Sequence, residues 1–433
     1  MKLILLSGGS GKRLWPLSNE SRSKQFLKLL KKDDGDYESM LQRVYSQIRY
    51  CMPKADVIIS TGAKQKDSIL NQLGHAVTIL EEPSRRNTFP AILLSAAYLI
   101  FEQQTSLDEP VVILPVDPYA EIEYFETLRQ MAQAVEQGTF PLVLMGIAPS
   151  YPSEKYGYIV PASSVHADSP TQVRSFVEKP SASVAEELIA SGALWNGGVF
   201  ACRLSYLAQH LHKNLNCSSF LDVMTQYDQL ESTSFDYAVV EHETCIGMLP
   251  YHGYWRDLGT WNTLTGEMKD ASMGRAILGE GAENTFVVNE LSTPIVALGT
   301  KNLIIAASPD GILVSDLGKS SYMKPYVEHL GDTPMFEERR WGEYRIVEHT
   351  RQDDAETITK QALVHCGKTI SFEHGISHKK IWILTMGRAN IEIDGVCHCA
   401  CAGDSFQIAP FQKHSLHALT EVSLLSVEFM ESD

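Results

Sequence analysis

The chain has 433 residues, 44% of them hydrophobic and 21% charged, and a formal net charge of −16. No apolar stretch reaches the roughly eighteen residues that a membrane-spanning helix needs, and so acidic a chain is poorly suited to wide contacts with nucleic-acid phosphates. The eight cysteines lack the regular spacing of a disulfide framework. We expect a cytoplasmic protein of two or three domains with reduced thiols, which binds neither a membrane nor nucleic acid.

The first part of the chain alternates predicted strands with predicted helices. The strands are the apolar, β-rich runs at residues 2–7, 56–60, 76–80, 111–115 and 142–147. The helix-like stretches between them are residues 38–49, 64–73, 89–103 and 124–136. Alternation at this spacing predicts right-handed βαβ units and a mostly parallel α/β sheet. Ligands of such sheets bind beyond the carboxyl ends of the strands.

The pattern changes near residue 275. Short apolar runs separated by Gly, Asn, Ser and Pro predict β structure without long helices at residues 285–288, 295–298, 303–307 and 312–314. The polar segment 329–338 is predicted to be a linker. The last part, residues 341–431, again consists of short strands and glycine turns, which favours an antiparallel sandwich or jelly roll.

Three cysteines alternate in this last part: Cys397, Cys399 and Cys401. On a strand this spacing places all three side chains on one face. We interpret that face as a core face of small residues. A zinc or redox site is the alternative, although no Cys-x-x-Cys pair supports it.

A glycine-rich segment, SGGSGKRLWPLS at residues 7–18, directly follows the first predicted strand. Its glycines allow backbone N–H groups to close on phosphates, and Lys12 and Arg13 add compensating charge. The spacing fits neither a P-loop nor a dinucleotide-binding fingerprint. The glycines alone would also suit a tight turn with a purely structural role.

Polar residues follow other predicted strands. Residues 82–88, EPSRRNT, precede a predicted apolar helix. Two roles are open for this segment: Asn87 or Thr88 caps the helix, or the segment contacts the edge of a purine base. Asp117 emerges from a buried strand, where an aspartate caps a helix or holds Mg²⁺. A second carboxylate, Asp257, lies in the segment WRDLGTW at residues 255–261.

Together with KQFL at residues 24–27, these motifs closely resemble those of the sugar-1-phosphate nucleotidyltransferases, in particular the mannose-1-phosphate guanylyltransferases. The resemblance spans roughly residues 1–330. It implies that Arg13 and Lys24 contact the triphosphate and stabilise the transferring phosphoryl group. The nucleotide site that it implies comprises Gly8, Gly9, Ser10, Gly11, Lys12, Arg13, Lys24, Glu82, Arg86 and Asn87.

The same resemblance implies that Asp117 and Asp257 hold Mg²⁺. It assigns the sugar phosphate to residues in the segments YGYI, FVEKP and LWNGGVF: Gly157, Glu178, Lys179 and Asn196. The segment SFDYA at residues 234–238 resembles a family segment that borders the same cleft. Three positions depart from the family pattern, since Lys12 replaces a threonine, Pro118 a histidine and Gly197 a serine. These departures leave the details of the phosphate and sugar contacts open.

The fold implied for residues 1–275 is a Rossmann-like, GT-A-like nucleotidyltransferase domain, followed by a β-rich extension at 276–330. Residues 331–433 resemble the cupin tail of bifunctional phosphomannose isomerase/guanylyltransferases, in degenerate form. Lys380 stands where the isomerase needs a metal-binding Glu, and Glu373 where it needs Gln, so isomerase activity is not expected. His374, His378 and His414 are still metal-ligand candidates. The tail is expected to stabilise a homo-oligomer or to cover the cleft.

The expected reaction transfers GMP from GTP to mannose 1-phosphate and releases pyrophosphate. Because a sugar phosphate is already ionised, it needs no general base, and catalysis consists of aligning two polyanions and reducing their repulsion. Two alternatives stay open. One is a guanylyltransferase for another sugar 1-phosphate, such as that of a heptose or fucose, and the other is a catalytically silent regulatory subunit that binds nucleotide sugars.

Overall fold

The computed structural model of the chain describes residues 1–9, 12–166, 169–330, 334–352, 355–372 and 376–431. The chain forms two compact units. The first comprises residues 1–9, 28–66 and 73–259, and the second comprises residues 10–27, 67–72 and 260–433. The glycine-rich segment is therefore divided between them.

A mixed sheet forms the centre of the first unit, with nine strands among the described residues. Their order across the sheet is Thr78–Glu82, Asp56–Gly62, Lys2–Leu6, Pro110–Pro115, Leu194–Arg203, Leu142–Ile147, Ile246–Tyr251, Thr171–Val177 and Tyr158–Pro161. The first four are parallel, as the alternation predicts. Strand Leu194–Arg203 runs antiparallel between Pro110–Pro115 and Leu142–Ile147, which the sequence does not indicate.

Helices pack around this sheet, and the sequence predicts those up to residue 137 but not the later ones. They are Met40–Cys51, Thr88–Ala97 with a continuation at Tyr98–Glu102, Ile122–Gln137, Ala182–Ala190, Leu204–Asn214, Phe220–Gln226 and Phe235–Ala238; helix Lys66–Leu73 spans both units. A short hairpin pairs Leu30–Lys31 with Tyr37–Glu38, and a second antiparallel pair joins Pro118–Ala120 to Trp255–Asp257. The apolar helix Thr88–Ala97 is buried over most of its length, and its side chains form the core with the inward residues of the sheet.

The second unit begins with short helical turns at Lys12–Leu14 and Lys24–Phe26. Hydrogen bonds from later parts of this unit hold the intervening segment: Trp261 Nε1 donates to the Trp15 carbonyl at 3.0 Å, and Ser308 Oγ donates to the Pro16 carbonyl at 2.6 Å. Further along the segment, Arg22 pairs with Glu290 at 2.8 Å. Residues 12–27 thus depend on contacts that lie far along the chain.

Short β-strands dominate residues 272–316, as predicted. Ser272–Gly274, Phe286–Asn289 and Leu303–Ser308 pair in parallel, and Gly311–Asp316 joins this sheet antiparallel. Ala276–Leu278 pairs in parallel with Ile295–Ala297. The short helices of this unit include Trp261–Leu264, Lys319–Tyr322 and Lys324–Val327.

The C-terminal part is an antiparallel, cupin-like sandwich, which confirms the predicted fold class. One sheet contains Phe336–Arg339, Gly342–Gln352, Ala355–Val364, Val422–Glu431, Lys379–Met386 and Ser405–Ile408. The other contains Thr369–Phe372, His414–Ala418, Arg388–Ile393 and Val396–Cys401. Its core includes Trp382, Ile391 and Leu416. The linker prediction is wrong for residues 336–338, since these residues pair as a strand.

The three alternating thiols lie on strand Val396–Cys401 and do share one face, but they are exposed. Ala400 points into the core instead, opposite the buried Ala389. The interpretation of Cys397, Cys399 and Cys401 as a core face is therefore wrong, because alternation fixes which residues share a face and not which face is buried.

Candidate functional site

Three parallel strands of the first unit bring candidate residues to one edge of the sheet. Lys2–Leu6 pairs in parallel with Asp56–Gly62 and Pro110–Pro115, and Thr78–Glu82 pairs in parallel with Asp56–Gly62, so all four strands end at the same side. The residues that end or follow the strands of this parallel set are Gly8 and Gly9, Glu82, and Asp117. This edge is where a ligand of a doubly wound sheet is expected.

Side-chain hydrogen bonds connect the glycine loop to the loop after strand Thr78–Glu82. The Gly9 carbonyl accepts from the Arg85 guanidinium at 2.7 Å and from Gln65 Nε2 at 3.3 Å. Glu82 accepts from the Tyr227 hydroxyl at 3.1 Å. Burial raises the pKa of Glu82, although the hydrogen bond from Tyr227 opposes this shift. Arg85 has a loop-fixing contact that the sequence does not single out.

The next two residues of this loop have defined partners. Arg86 donates to the Asp228 carboxylate at 3.1 Å and to the Leu230 carbonyl at 2.9 Å. Asn87 has a positive φ of 69° and caps helix Thr88–Ala97, since its side chain accepts from the Thr88 amide at 2.9 Å. The helix-cap alternative for Asn87 is thus confirmed as a structural contact, and it leaves the amide nitrogen of the side chain as a further donor.

The two candidate metal carboxylates lie on neighbouring chain segments. Pro118–Ala120 pairs antiparallel with Trp255–Asp257, and the register places Asp257 opposite Pro118. Asp117 precedes Pro118 directly, so both aspartates lie at the same end of this pair of strands. Residues of one antiparallel pair lie roughly 5 Å apart in Cα position, which brings the neighbouring carboxyl groups into one region.

Tyr156 lies close enough to both carboxylates to be affected by their charge. Burial and the negative charges of Asp257 and Asp117 raise the pKa of its phenol. The ring lies 5.0 Å from that of Trp195 and 5.6 Å from that of Trp255, centroid to centroid. An aromatic wall therefore borders the aspartate pair, and Tyr156 is a further candidate site residue in the segment YGYI, from which the sequence selected only Gly157.

Gly157 connects this wall to the candidate sugar residues. Its carbonyl accepts from the Asn196 amide at 2.7 Å. A Cβ at position 157 would lie 2.4 Å from Glu178 Oε2 and 2.6 Å from the Phe176 ring, so only glycine permits this close approach. Gly157, Glu178 and Asn196, named separately from the sequence, are therefore one cluster.

The side-chain amide of Asn196 donates to the Asp236 carboxylate at 2.6 Å, and its oxygen accepts from the Gly198 amide at 3.1 Å. Burial and the charge of Glu178 raise the pKa of Asp236 to about 6, while the hydrogen bond from Asn196 opposes the shift. Asp236 belongs to the segment SFDYA, which resembles a family segment bordering the cleft. Its contacts, rather than that resemblance, identify it as a member of the cluster.

Lys179 is the cation of this cluster. It pairs with Glu178, and its ammonium lies 5.7 Å from the Tyr237 ring centroid. Burial opposes its charged form, but the hydrogen bond and charge of Glu178 outweigh this cost, so the pKa of Lys179 is raised. The side chain is half exposed, which leaves its ammonium accessible to a phosphate.

The pattern that defines the nucleotidyl transferase family matches residues 2–273, which is more than half of the chain. The chain belongs to the nucleotidyl transferase family. The mannose-1-phosphate guanylyltransferase of Klebsiella pneumoniae is 27% identical to it over 450 residues, covering 95% of this chain and 92% of that protein. Xanthan biosynthesis protein XanB of Xanthomonas campestris is 30% identical over 425 residues, covering 90% and 86%.

A solved structure agrees with this assignment. It is described as mannose-1-phosphate geranyltransferase from Thermus thermophilus and superposes with a TM-score of 0.62 at 28% identity. The match covers 76% of this chain and 98% of that chain. The similarity extends beyond the family motifs to the fold around them.

The remaining predicted phosphate contacts of this nucleotidyl transferase lie in the second unit or outside the described residues. Lys12 and the exposed Arg13 belong to the helical turn Lys12–Leu14, and the half-buried Lys24 to the turn Lys24–Phe26. Ser10 and Gly11 lie outside the described residues. The proposed roles of all these phosphate-binding candidates therefore rest on the family resemblance.

Asp117 and Asp257 fit the Mg²⁺ that the family implies. Both are hard oxygen donors, Asp257 lies opposite Pro118 while Asp117 directly precedes Pro118, and both charges act on the same tyrosine.

Within the described ranges, no group of three or more His, Cys, Asp or Glu side chains is arranged to hold a metal ion. His378 and His414 are described, whereas Glu373 and His374 of the cupin motif lie outside the described residues. None of the described helices has both the length and the apolar character needed to cross a bilayer.

Proposed function

We propose that this nucleotidyl transferase transfers GMP from GTP to mannose 1-phosphate, forming GDP-mannose and pyrophosphate. The observation that carries the proposal is the adjacency of Tyr156 and Gly157. Tyr156 lies in the field of the Asp117–Asp257 pair, and Gly157 touches Glu178 and Asn196. The candidate metal-binding pair and the candidate sugar-binding cluster are therefore connected through two residues that are adjacent in the chain. This proximity is what the reaction needs, because the sugar phosphate has to be held beside the phosphates of the nucleotide.

In this mechanism, a phosphate oxygen of the sugar 1-phosphate attacks the α-phosphorus of the nucleotide. The new P–O bond forms as the bond to the bridging oxygen of pyrophosphate breaks, and that oxygen takes the electron pair. The Lys179 ammonium compensates the charge of the sugar phosphate, and Glu178 and Asn196 bind sugar hydroxyls. No proton has to be removed, so these groups act by position and charge.

On the nucleotide side, the glycine segment with Lys12, Arg13 and Lys24 binds the triphosphate. Asn87 and Glu82 contact the guanine edge, and Arg86 fixes their loop through Asp228. Mg²⁺ held by Asp117 and Asp257 would neutralise charge on the phosphate oxygens. We place the reaction in the cytoplasm and propose a homo-oligomer formed through the C-terminal domain, which light scattering tests.

A matrix of nucleotides and sugar 1-phosphates tests the proposal. GTP, ATP, UTP and dTTP are each combined with the 1-phosphates of mannose, glucose, fucose and a heptose in the presence of Mg²⁺, and pyrophosphate release is measured. The expected result is highest kcat/KM for GTP with mannose 1-phosphate. Highest activity with another sugar would refute the mannose assignment, and no turnover with any pair would favour a silent binding subunit.

A matched pair of variants links activity to the site. Asp257→Asn removes one carboxylate of the candidate pair, whereas Asp108→Asn removes a carboxylate that is 84% exposed and pairs with Arg203. Asp257→Asn is expected to abolish most turnover and Asp108→Asn to retain it. Equal activities would contradict the metal assignment.

A further inference from the structure

The C-terminal sandwich contains a cavity of about 630 Å³ that the transfer reaction does not use. All of its lining residues belong to the second unit. Four aromatic rings contribute to its wall: Trp341, Tyr344, Phe372 and Trp382. Aromatic walls with a few convergent polar groups are typical of small-molecule sites.

Lys380, which departs from the isomerase pattern, is the main polar group of this cavity. Its side chain is 2% exposed, and the ammonium lies 3.9 Å from the Phe372 ring centroid and 3.4 Å from the Glu428 carboxylate. Lys360 binds the same carboxylate at 2.8 Å. Burial lowers the pKa of Lys380, although the charge of Glu428 counteracts this shift. A buried ammonium is costly unless an anion compensates it.

The charges of the described residues that line the cavity do not balance. Two ammonium groups, from Lys360 and Lys380, share the single carboxylate of Glu428. Arg339 also borders the cavity, but it is neutralised by Glu337. With both ammonium groups charged and the imidazoles left out of the count, the described lining residues carry one positive charge in excess. One further negative charge would complete the cluster.

His414 adds an unused acceptor beside this cluster. Its ring stacks on Phe372 at 4.7 Å, and the charges of Lys380 and Glu428 both act on it. Because Nδ1 contacts the Gln412 carbonyl at 2.8 Å, the hydrogen is on Nδ1 and Nε2 is an acceptor. This buried Nε2 has no hydrogen-bond partner in the described part of the chain.

We propose that this cavity binds a hydroxylated organic monocarboxylate, such as a sugar acid, without a metal ion. The carboxylate pairs with Lys380 and Lys360, and the ring face of the ligand packs on the aromatic wall. Ligand hydroxyls donate to Glu428 and to further acceptors of the cluster. A monoanion matches the single excess charge, whereas a phosphate dianion exceeds it and a neutral sugar leaves it unpaired.

Calorimetric titration of the full chain tests this proposal. The probes are glucuronate, glucose, glucose 6-phosphate and inorganic phosphate, each added to the wild type and to three variants. Lys380→Met and Lys360→Met remove the two cavity ammonium groups. Lys368→Met is the matched control, because Lys368 is an exposed lysine of the same sandwich that does not line the cavity. Circular dichroism checks that each variant is folded.

The expected result is binding of glucuronate at one site per chain, weakened at least tenfold by Lys380→Met or Lys360→Met and unchanged by Lys368→Met. If Lys380→Met fails to fold, Lys360→Met, which alters a partly exposed side chain, provides the same comparison. No binding of glucuronate to the wild type, or equal binding to the folded variants, would overturn the proposal. So would glucose, or either phosphate, binding more tightly than glucuronate in a manner that Lys380→Met abolishes.

Discussion

Asp236 connects the chemistry of the sugar cluster to the stability of the fold. Its pKa is about 6 in the folded protein, against an ordinary value of 3.8, chiefly because burial disfavours the carboxylate. The folded state thus holds a proton that the unfolded state loses between these two values. Stability therefore falls as the pH rises from about 4 to about 6. A shift of about two pKa units corresponds to about 3 kcal/mol, which is the largest loss expected.

Urea unfolding from pH 4 to pH 8 measures this loss in the wild type and in Asp236→Asn. The amide cannot ionise, so the wild type is expected to lose up to about 3 kcal/mol relative to the variant across this range, and no more above pH 7. Asp108→Asn, at an exposed position, is the control and should parallel the wild type. A wild-type curve that runs parallel to Asp236→Asn, or gains stability relative to it as pH rises, would refute the burial argument.

Three further substitutions test the site. Asp257→Asn should lower kcat by about 100-fold or more while circular dichroism shows a folded variant; a near-normal rate of pyrophosphate release would exclude the metal role. Lys179→Ala should raise KM for the sugar 1-phosphate about tenfold or more without changing KM for GTP, and an unchanged sugar KM would remove it from the site. Gly157→Ala brings a Cβ within 2.4 Å of Glu178 Oε2, so steady-state kinetics should show a raised sugar KM; wild-type kinetics would contradict the close-contact argument.

Hydrophobic periodicity predicted the parallel half of the first sheet well. Buried parallel strands are continuous apolar runs, so residues 111–115 and 142–147 nearly coincide with the observed strands. The antiparallel insertion of Leu194–Arg203 was not predictable in this way, because an apolar run does not specify the direction of its strand. The strand Phe336–Arg339 was missed for a different reason, since its charged sequence carries no apolar alternation.

The candidate site was predictable where motifs carry it. The family motifs led to Asp117, Asp257 and Glu178 as individual candidates. They also included the segments that contain Tyr156 and Asp236, but the contacts of these two residues could not be read from the sequence. The electrostatic environment of Asp236 depends on Glu178 and Asn196, which are far away in the chain. Long-range coupling of this kind leaves no local pattern in the sequence. The same holds for the excess charge around Lys380 in the C-terminal cavity.

The segment that contains Arg13 and Lys24 is fastened by Trp261, Ser308 and Glu290, all of them encoded downstream of the two aspartates. A truncated gene ending near residue 259 would therefore yield a product in which the segment with the proposed phosphate contacts had lost its anchors. Replacing the C-terminal half by that of a related enzyme would remove the same anchoring residues. The two halves of such a chain have to evolve together, because a functional segment of the first half is held in place by residues of the second.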